Sequence, residues 1–127
     1  MKLAIVSTHP VQYNAPFFKL LASGNFFEIR VFYTWSQSAS GGKFDPGFGK
    51  QIAWDIPLLE GYPFEFVTNV SADPGTHHFQ GIKNPGLINR IEEFHPDLLL
   101  VYGWAFQSHL RCLRYFHRKL PVLFRGD

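Results

Sequence analysis

The sequence predicts an α/β domain built on a mainly parallel sheet, and two observations carry that expectation. Short apolar runs of strand length recur between segments whose apolar residues fall at helical spacing. Strands that alternate with helices in this way assemble into parallel sheets with right-handed crossovers. One run, Leu98–Tyr102, is apolar throughout, as befits a strand covered on both faces. With 127 residues, 46% of them hydrophobic, the chain has the length of one domain. A chain of this size buries roughly two-thirds of its extended surface on folding, enough for a genuine core.

Taken in order, Leu3–Val6 reads as a first buried strand that ends in polar Ser7 and Thr8, with a turn at His9-Pro10. Asn14 is placed to cap a helix beginning at Ala15, with Pro16 in the first turn, where its missing N–H costs nothing. Phe17, Phe18, Leu20 and Leu21 carry that helix to Gly24. Residues 27–34, rich in Ile, Val, Phe and Tyr, form the second strand. Residues 35–55 combine serines and glycines with Phe44, Phe48 and Trp54, a long loop of the kind that is usually functional or mobile. A third strand over 64–68 and a second long loop over 69–84 follow. Leu87, Ile88, Ile91 and Phe94 define a helix that His95-Pro96 ends, since the residue before proline avoids helical backbone. Then come the buried strand 98–102, a helix over 106–119 and a fifth strand over 121–124. The whole reads β-α-β-loop-β-α-β-α-β, a three-layer Rossmann-like arrangement. A domain of this type usually continues into a covering helix after such a strand, so the chain reads as one domain, 1–127, of a longer protein.

Composition removes several classes. The apolar content and the net charge of +2 exclude intrinsic disorder. A single cysteine, Cys112, excludes a disulfide framework. No run approaches the ~18 apolar residues of a membrane span, and Thr8, His9, Pro10, Gln12 and Asn14 interrupt the N-terminal run before a signal peptide is complete. A cytoplasmic protein is expected. Arg111, Arg114 and Arg118 share one helical face, which is either a solvated face or a contact for an anionic membrane surface or substrate. No recognised nucleic-acid module is present, and no nucleic-acid partner is expected.

Ligands in open parallel sheets bind at the carboxyl ends of the strands. Here those ends carry polar and aromatic residues: Ser7-Thr8-His9-Pro10, Trp35-Ser36-Gln37, Gly103-Trp104 and Arg125-Gly126-Asp127. His9 can donate to a phosphate or hydroxyl or act as an acid or base near neutral pH; the alternative is a turn histidine. Tyr102-Gly103-Trp104 combines close backbone approach with rings suited to a sugar face, or else is a tight turn flanked by core aromatics. Gln107, Ser108 and His109 open a helix whose N-terminus favours an anion or polarised hydroxyl. Arg125 and Asp127 can hold a polar acceptor.

Other sites are missing from the sequence. No glycine follows the first strand before Tyr13, which argues against a dinucleotide site, and there is no phosphate loop ending in Gly-Lys-Ser/Thr. His77 and His78 are adjacent, a poor spacing for two ligands of one metal on a helix or strand, and no cysteine or carboxylate cluster accompanies them, so no metal site is expected. Cys112, inside a helical pattern, reads as packing rather than a nucleophile.

Three stretches, Ser7-Thr8-His9-Pro10-Val11-Gln12-Tyr13, Pro96-Asp97-Leu98-Leu99-Leu100-Val101-Tyr102-Gly103-Trp104 and Pro121-Val122-Leu123-Phe124-Arg125-Gly126-Asp127, resemble the N-terminal half of a bacterial GT-B glycosyltransferase of the large retaining family 4 type. The stretch Trp54-Asp55-Ile56-Pro57-Leu58-Leu59-Glu60-Gly61-Tyr62 resembles the segment that leads into the third strand of that group. The resemblance covers almost the whole chain. It implies an acceptor-binding domain facing a C-terminal domain that holds a nucleotide-sugar donor, with no other cofactor. The partners implied are a sugar or lipid-linked acceptor and that donor domain, with peripheral membrane contact at the inner face and a role in surface polysaccharide synthesis. The fragment alone would not turn over. Many members carry a glycine-rich loop after strand one and histidines after strands four and five. This chain has Thr8-His9-Pro10, Tyr102-Gly103-Trp104 and Arg125-Gly126-Asp127 there, so no catalytic histidine is carried over. An acceptor-facing role is expected for His9, Gln12, Tyr102, Trp104, His109, Arg125 and Asp127. The rival readings are a stand-alone flavodoxin-like binding module and half of a sugar-nucleotide epimerase.

Overall fold

A computed structural model describes residues 1–10, 14–35, 61–103 and 105–125. Five strands, β1 (Lys2–Ser7), β2 (Glu28–Tyr33), β3 (Phe64–Phe66), β4 (Leu98–Tyr102) and β5 (Val122–Arg125), form one sheet in the order β3-β2-β1-β4-β5. Every pairing is parallel, with Ile5 opposite Val31 on one side and Leu100 on the other. Among the described residues three helices cover the sheet: α1 (Ala15–Ser23), α2 (Leu87–Phe94) and α3 (Gln107–Phe116). The expected α/β three-layer, Rossmann-like class is therefore the observed one.

The two-residue period of β1 divides the core. Leu3 and Ile5 face one way, into a cluster with Ala15 and Phe18 of α1, Ile29, Val31, Tyr33, Tyr62 and Tyr102. Ala4 and Val6 face the other way, into a cluster with Phe32, Leu87, Ile91 and Phe94 of α2, Leu99, Val101, and Cys112 and Phe116 of α3. Burial on both faces explains why β1 and β4 read as continuous apolar runs. The winding reverses between β1 and β4, and connections of one handedness then place α1 on the face opposite α2 and α3. Buried apolar side chains of this size each contribute about 1.5–3 kcal/mol, and Ile5, Val31 and Leu99 are fully enclosed.

Several details differ from the sequence expectation, and three of them have a clear local cause. Asn14 does not cap α1. Its own backbone is already helical (φ −92°, ψ −29°) and its side chain makes no capping bond, whereas a capping residue needs extended backbone to fold back on the first N–H groups. The third strand stops at Phe66 because the carbonyls of Val67 and Thr68 turn to accept from the Asn84 amide. The last helix ends at Phe116 rather than 119, since Lys119 and Leu120 both donate to the Phe116 carbonyl in a closing turn. Within the second long loop, Phe79–Gly81 makes one 3-10 turn. Elsewhere the punctuation is as expected: Pro16 sits in the first turn of α1, and His95 leaves helical space for the left-handed region (φ 56°) before Pro96. Glu65 of β3 accepts from two guanidinium nitrogens of Arg90 on α2, at 2.7 and 3.0 Å, and has Arg30 of β2 at 3.6 Å, which ties the edge strand to the helix layer.

Candidate functional site at the strand tips

The strand order reverses between β1 and β4, the place where open parallel sheets generally hold a ligand, at the carboxyl ends of the strands. Backbone bonds extend the ladders beyond the strands: Thr34 N–H donates to Ser7 O, Trp35 N–H to Thr8 O and Gly103 N–H to Arg125 O. These bonds hold the tips of β1 and β2, and of β4 and β5, side by side.

Four buried polar side chains fasten the platform from below. His109, on the first turn of α3, is fully enclosed. Its Nδ1 lies 3.0 Å from Tyr102 O and 3.1 Å from Gly103 O. Carbonyls only accept, so Nδ1 carries the proton, and Nε2 of the neutral ring accepts from the Thr34 hydroxyl at 2.8 Å. One imidazole thus joins the tips of β2 and β4. Burial pulls its pKa down to about 4, against the opposing pull of the two carbonyl bonds. Asn84 does the same for β2 and β3: its amide N–H groups serve the carbonyls of Thr34, Val67 and Thr68 at 2.9, 3.0 and 2.9 Å. Aimed in this way, the amide leaves its Oδ1 buried without a hydrogen bond. The Ser108 hydroxyl accepts from the Asn84 backbone N–H and donates to Ile82 O, so the second long loop is pinned to the start of α3.

The residues singled out from sequence divide accordingly. His9 stands half-buried at the β1 tip, with its Nδ1 2.9 Å from the Thr8 hydroxyl and its ring edge-on to Trp35 at 5.3 Å. Burial holds its pKa below the ordinary histidine value, so the neutral ring that can accept a proton dominates at pH 7. Arg125 is exposed at the β5 tip, its guanidinium 5.9 Å from the centre of the Tyr102 ring. Tyr102 itself is a core residue, 9% exposed, packed edge-on to Phe18. His109 lies beneath the platform rather than on it. The backbone N–H of Ser108 donates to Ile82 O, so this group of the α3 N-terminus is already occupied. Gly103 takes φ +84°, a left-handed turn that glycine tolerates. Gln12, Trp104 and Asp127, and the loop over 36–60, lie outside the described residues.

Sequence reading missed Thr34 and Asn84, which are 50 positions apart and carry no motif. It also missed a cluster on the second loop, where Asp73, His77 and His78 bring one ligand atom each within 4.8 Å of one another. Among the described residues Cys112 is a free, buried thiol whose pKa burial pushes up to about 12. It is no nucleophile at neutral pH. No helix among the described residues is long and apolar enough to cross a membrane. Comparison with protein-family models, curated proteins and solved structures finds no match.

Proposed function

We propose that this chain is the acceptor-binding domain of a GT-B glycosyltransferase. In the whole enzyme a sugar passes from a nucleotide-sugar donor, held by a C-terminal domain, to a hydroxyl held at these strand tips. The setting proposed is surface polysaccharide synthesis at the cytoplasmic face of the inner membrane. The observation that carries the reading is the grouping of His9, Trp35, the Gly103 turn and Arg125 on the tips of a parallel sheet ordered 3-2-1-4-5. An aromatic edge, a neutral imidazole and a guanidinium suit a polyhydroxyl acceptor bearing negative charge, and fixing such a hydroxyl in place is a large part of transfer catalysis. Leu123 and Phe124, 52% and 47% exposed on β5, supply apolar surface of the kind that a neighbouring helix or domain covers.

The test is made on the product of the complete reading frame, with a panel of nucleotide sugars. One donor is expected to bind and to be hydrolysed slowly. His9→Ala is expected to lower kcat/KM for the acceptor about 10- to 100-fold while leaving donor binding unchanged. A complete product that binds no nucleotide sugar sinks the proposal.

A further inference from the structure

We infer that the loop following β3 is a binding site for a divalent transition-metal ion, held by Asp73, His77 and His78. The assignment stands on this loop alone and does not depend on glycosyl transfer.

A tetrahedral ion with bonds of about 2.1 Å to nitrogen and oxygen sets its ligand atoms about 3.4 Å apart. Asp73 Oδ2 lies 3.1 Å from His77 Nε2 and 3.5 Å from His78 Nε2. Both imidazoles therefore approach a single carboxylate oxygen through the same ring nitrogen, and His78 Nε2 lies 3.0 Å from the Asp73 backbone carbonyl as well. Adjacent residues achieve this because the backbone here is neither helix nor strand. It turns back between Asp73 and His78, and the rings end 4.4 Å apart, tilted by 52°.

The loop is built to hold that arrangement. Asn69 Oδ1 accepts from the backbone N–H groups of Ser71 and Lys83, and its Nδ2 donates to Gly81 O. Ser71 Oγ donates to Gln80 O at 2.7 Å and accepts from Asp73 N–H at 3.2 Å, which sets the carboxylate. Gly75 N–H donates to Gly81 O and Gly81 N–H to His78 O. Gly75 adopts φ +149°, and a Cβ there would lie 2.7 Å from the His77 ring. The glycine thus lets the first imidazole fold over the turn. Ligand atoms placed in advance by backbone bonds lose little entropy when an ion arrives.

An ion pair alone is a weak explanation. The Asp73 and His77 side chains are 73% and 58% exposed, and exposed pairs contribute little to stability. An ion between them satisfies the carboxylate and both rings together. Two imidazoles and one carboxylate suit zinc and its neighbours cobalt and nickel rather than magnesium or calcium. Three protein ligands leave a fourth position for water or an oxygen of a bound anion. The loop springs from the carboxyl end of β3, and its far end is pinned by Asn84 and Ser108 to the strand tips.

The experiment is calorimetric titration of protein carrying no polyhistidine tag with Zn²⁺, paired with visible absorption on adding Co²⁺. One ion per chain is expected, with the intense absorption bands of tetrahedral cobalt and without a thiolate charge-transfer band. Asp73→Ala and His78→Ala are each expected to weaken Zn²⁺ binding at least about tenfold, since even supporting groups around a metal cost that much. The melting temperature of the ion-free protein should change little in both, because Asp73 is exposed and the partly exposed His78 lies outside both core clusters. Full-strength binding by a His77→Ala/His78→Ala double variant overturns the assignment, as does an unsubstituted protein that takes up no ion.

Discussion

His109 is held neutral by its surroundings, and that makes stability depend on pH in one direction. Its pKa lies at about 4 in the fold, against 6.5 for an ordinary histidine. As pH falls the unfolded chain takes up the proton first, so stability is intact above about 6.5, declines between 6.5 and 4 and levels off below. The difference between those values corresponds to at most about 3 kcal/mol. His9, also held low by burial, acts in the same sense. The urea midpoint should therefore fall between pH 7 and pH 4.5, and a His109→Gln variant should show a flatter dependence. Nuclear magnetic resonance of the His109 ring should show no titration above pH 5; a ring that titrates near 6.5 contradicts the buried, neutral assignment. The sequence singled out this histidine as a candidate acceptor contact. Its position after β4, at the start of a helix, was legible. Its direction was not, because only the fold brings Thr34, 75 positions away, against its Nε2. Asp73 was missed for a related reason. Metal-ligand spacing is judged against helices and strands, and His77-His78 sits on neither.

At the scale of elements, two glycines separate conformational from steric constraint. Gly103 needs positive φ, but among the described residues a Cβ there meets only Phe106, at an ordinary 3.7 Å. Gly103→Ala should cost about 1–2 kcal/mol, the penalty of left-handed backbone, and leave a folded protein. At Gly81 an added Cβ would lie 2.1 Å from the Gly75 carbonyl oxygen, a rigid backbone atom. Gly81→Ala must open the loop between β3 and α2, with an overpacking cost of about 1–3 kcal/mol and local loss of amide protection from Val70 to Lys83. Chemical denaturation and hydrogen exchange of the two variants distinguish these outcomes; equal, loop-confined effects would contradict the distinction. Strand and helix identity was readable in the chain because apolar runs and helical spacing follow local geometry. The ends were less so. The early stop of β3 depends on an asparagine 17 residues beyond Val67, and the absent Asn14 cap depends on backbone that enters α1 already helical.

For the whole molecule, the strand order sets a gradient of local stability. β1 is paired on both sides, and Ala4, Ile5 and Val6 have no exposure at all. β3 and β5 form the edges of the sheet, and three of the four β5 residues are exposed. Native-state hydrogen exchange should be slowest in β1 and in the neighbouring residues of β4, and fastest in β3 and β5, because edges open without disturbing the centre. Protection in β5 equal to that in β1 would contradict the gradient. The chain's only cysteine then becomes a clock for the deepest opening. The thiol of Cys112 is sealed within the layer between the sheet and the α2–α3 side, and burial suppresses its thiolate. A disulfide reagent offered to the native protein has no partner until that layer parts. The colour it releases should rise at the rate of core exposure, reach one equivalent per chain and speed up with urea, so that folding stability can be read from unlabelled protein with a single absorbance trace.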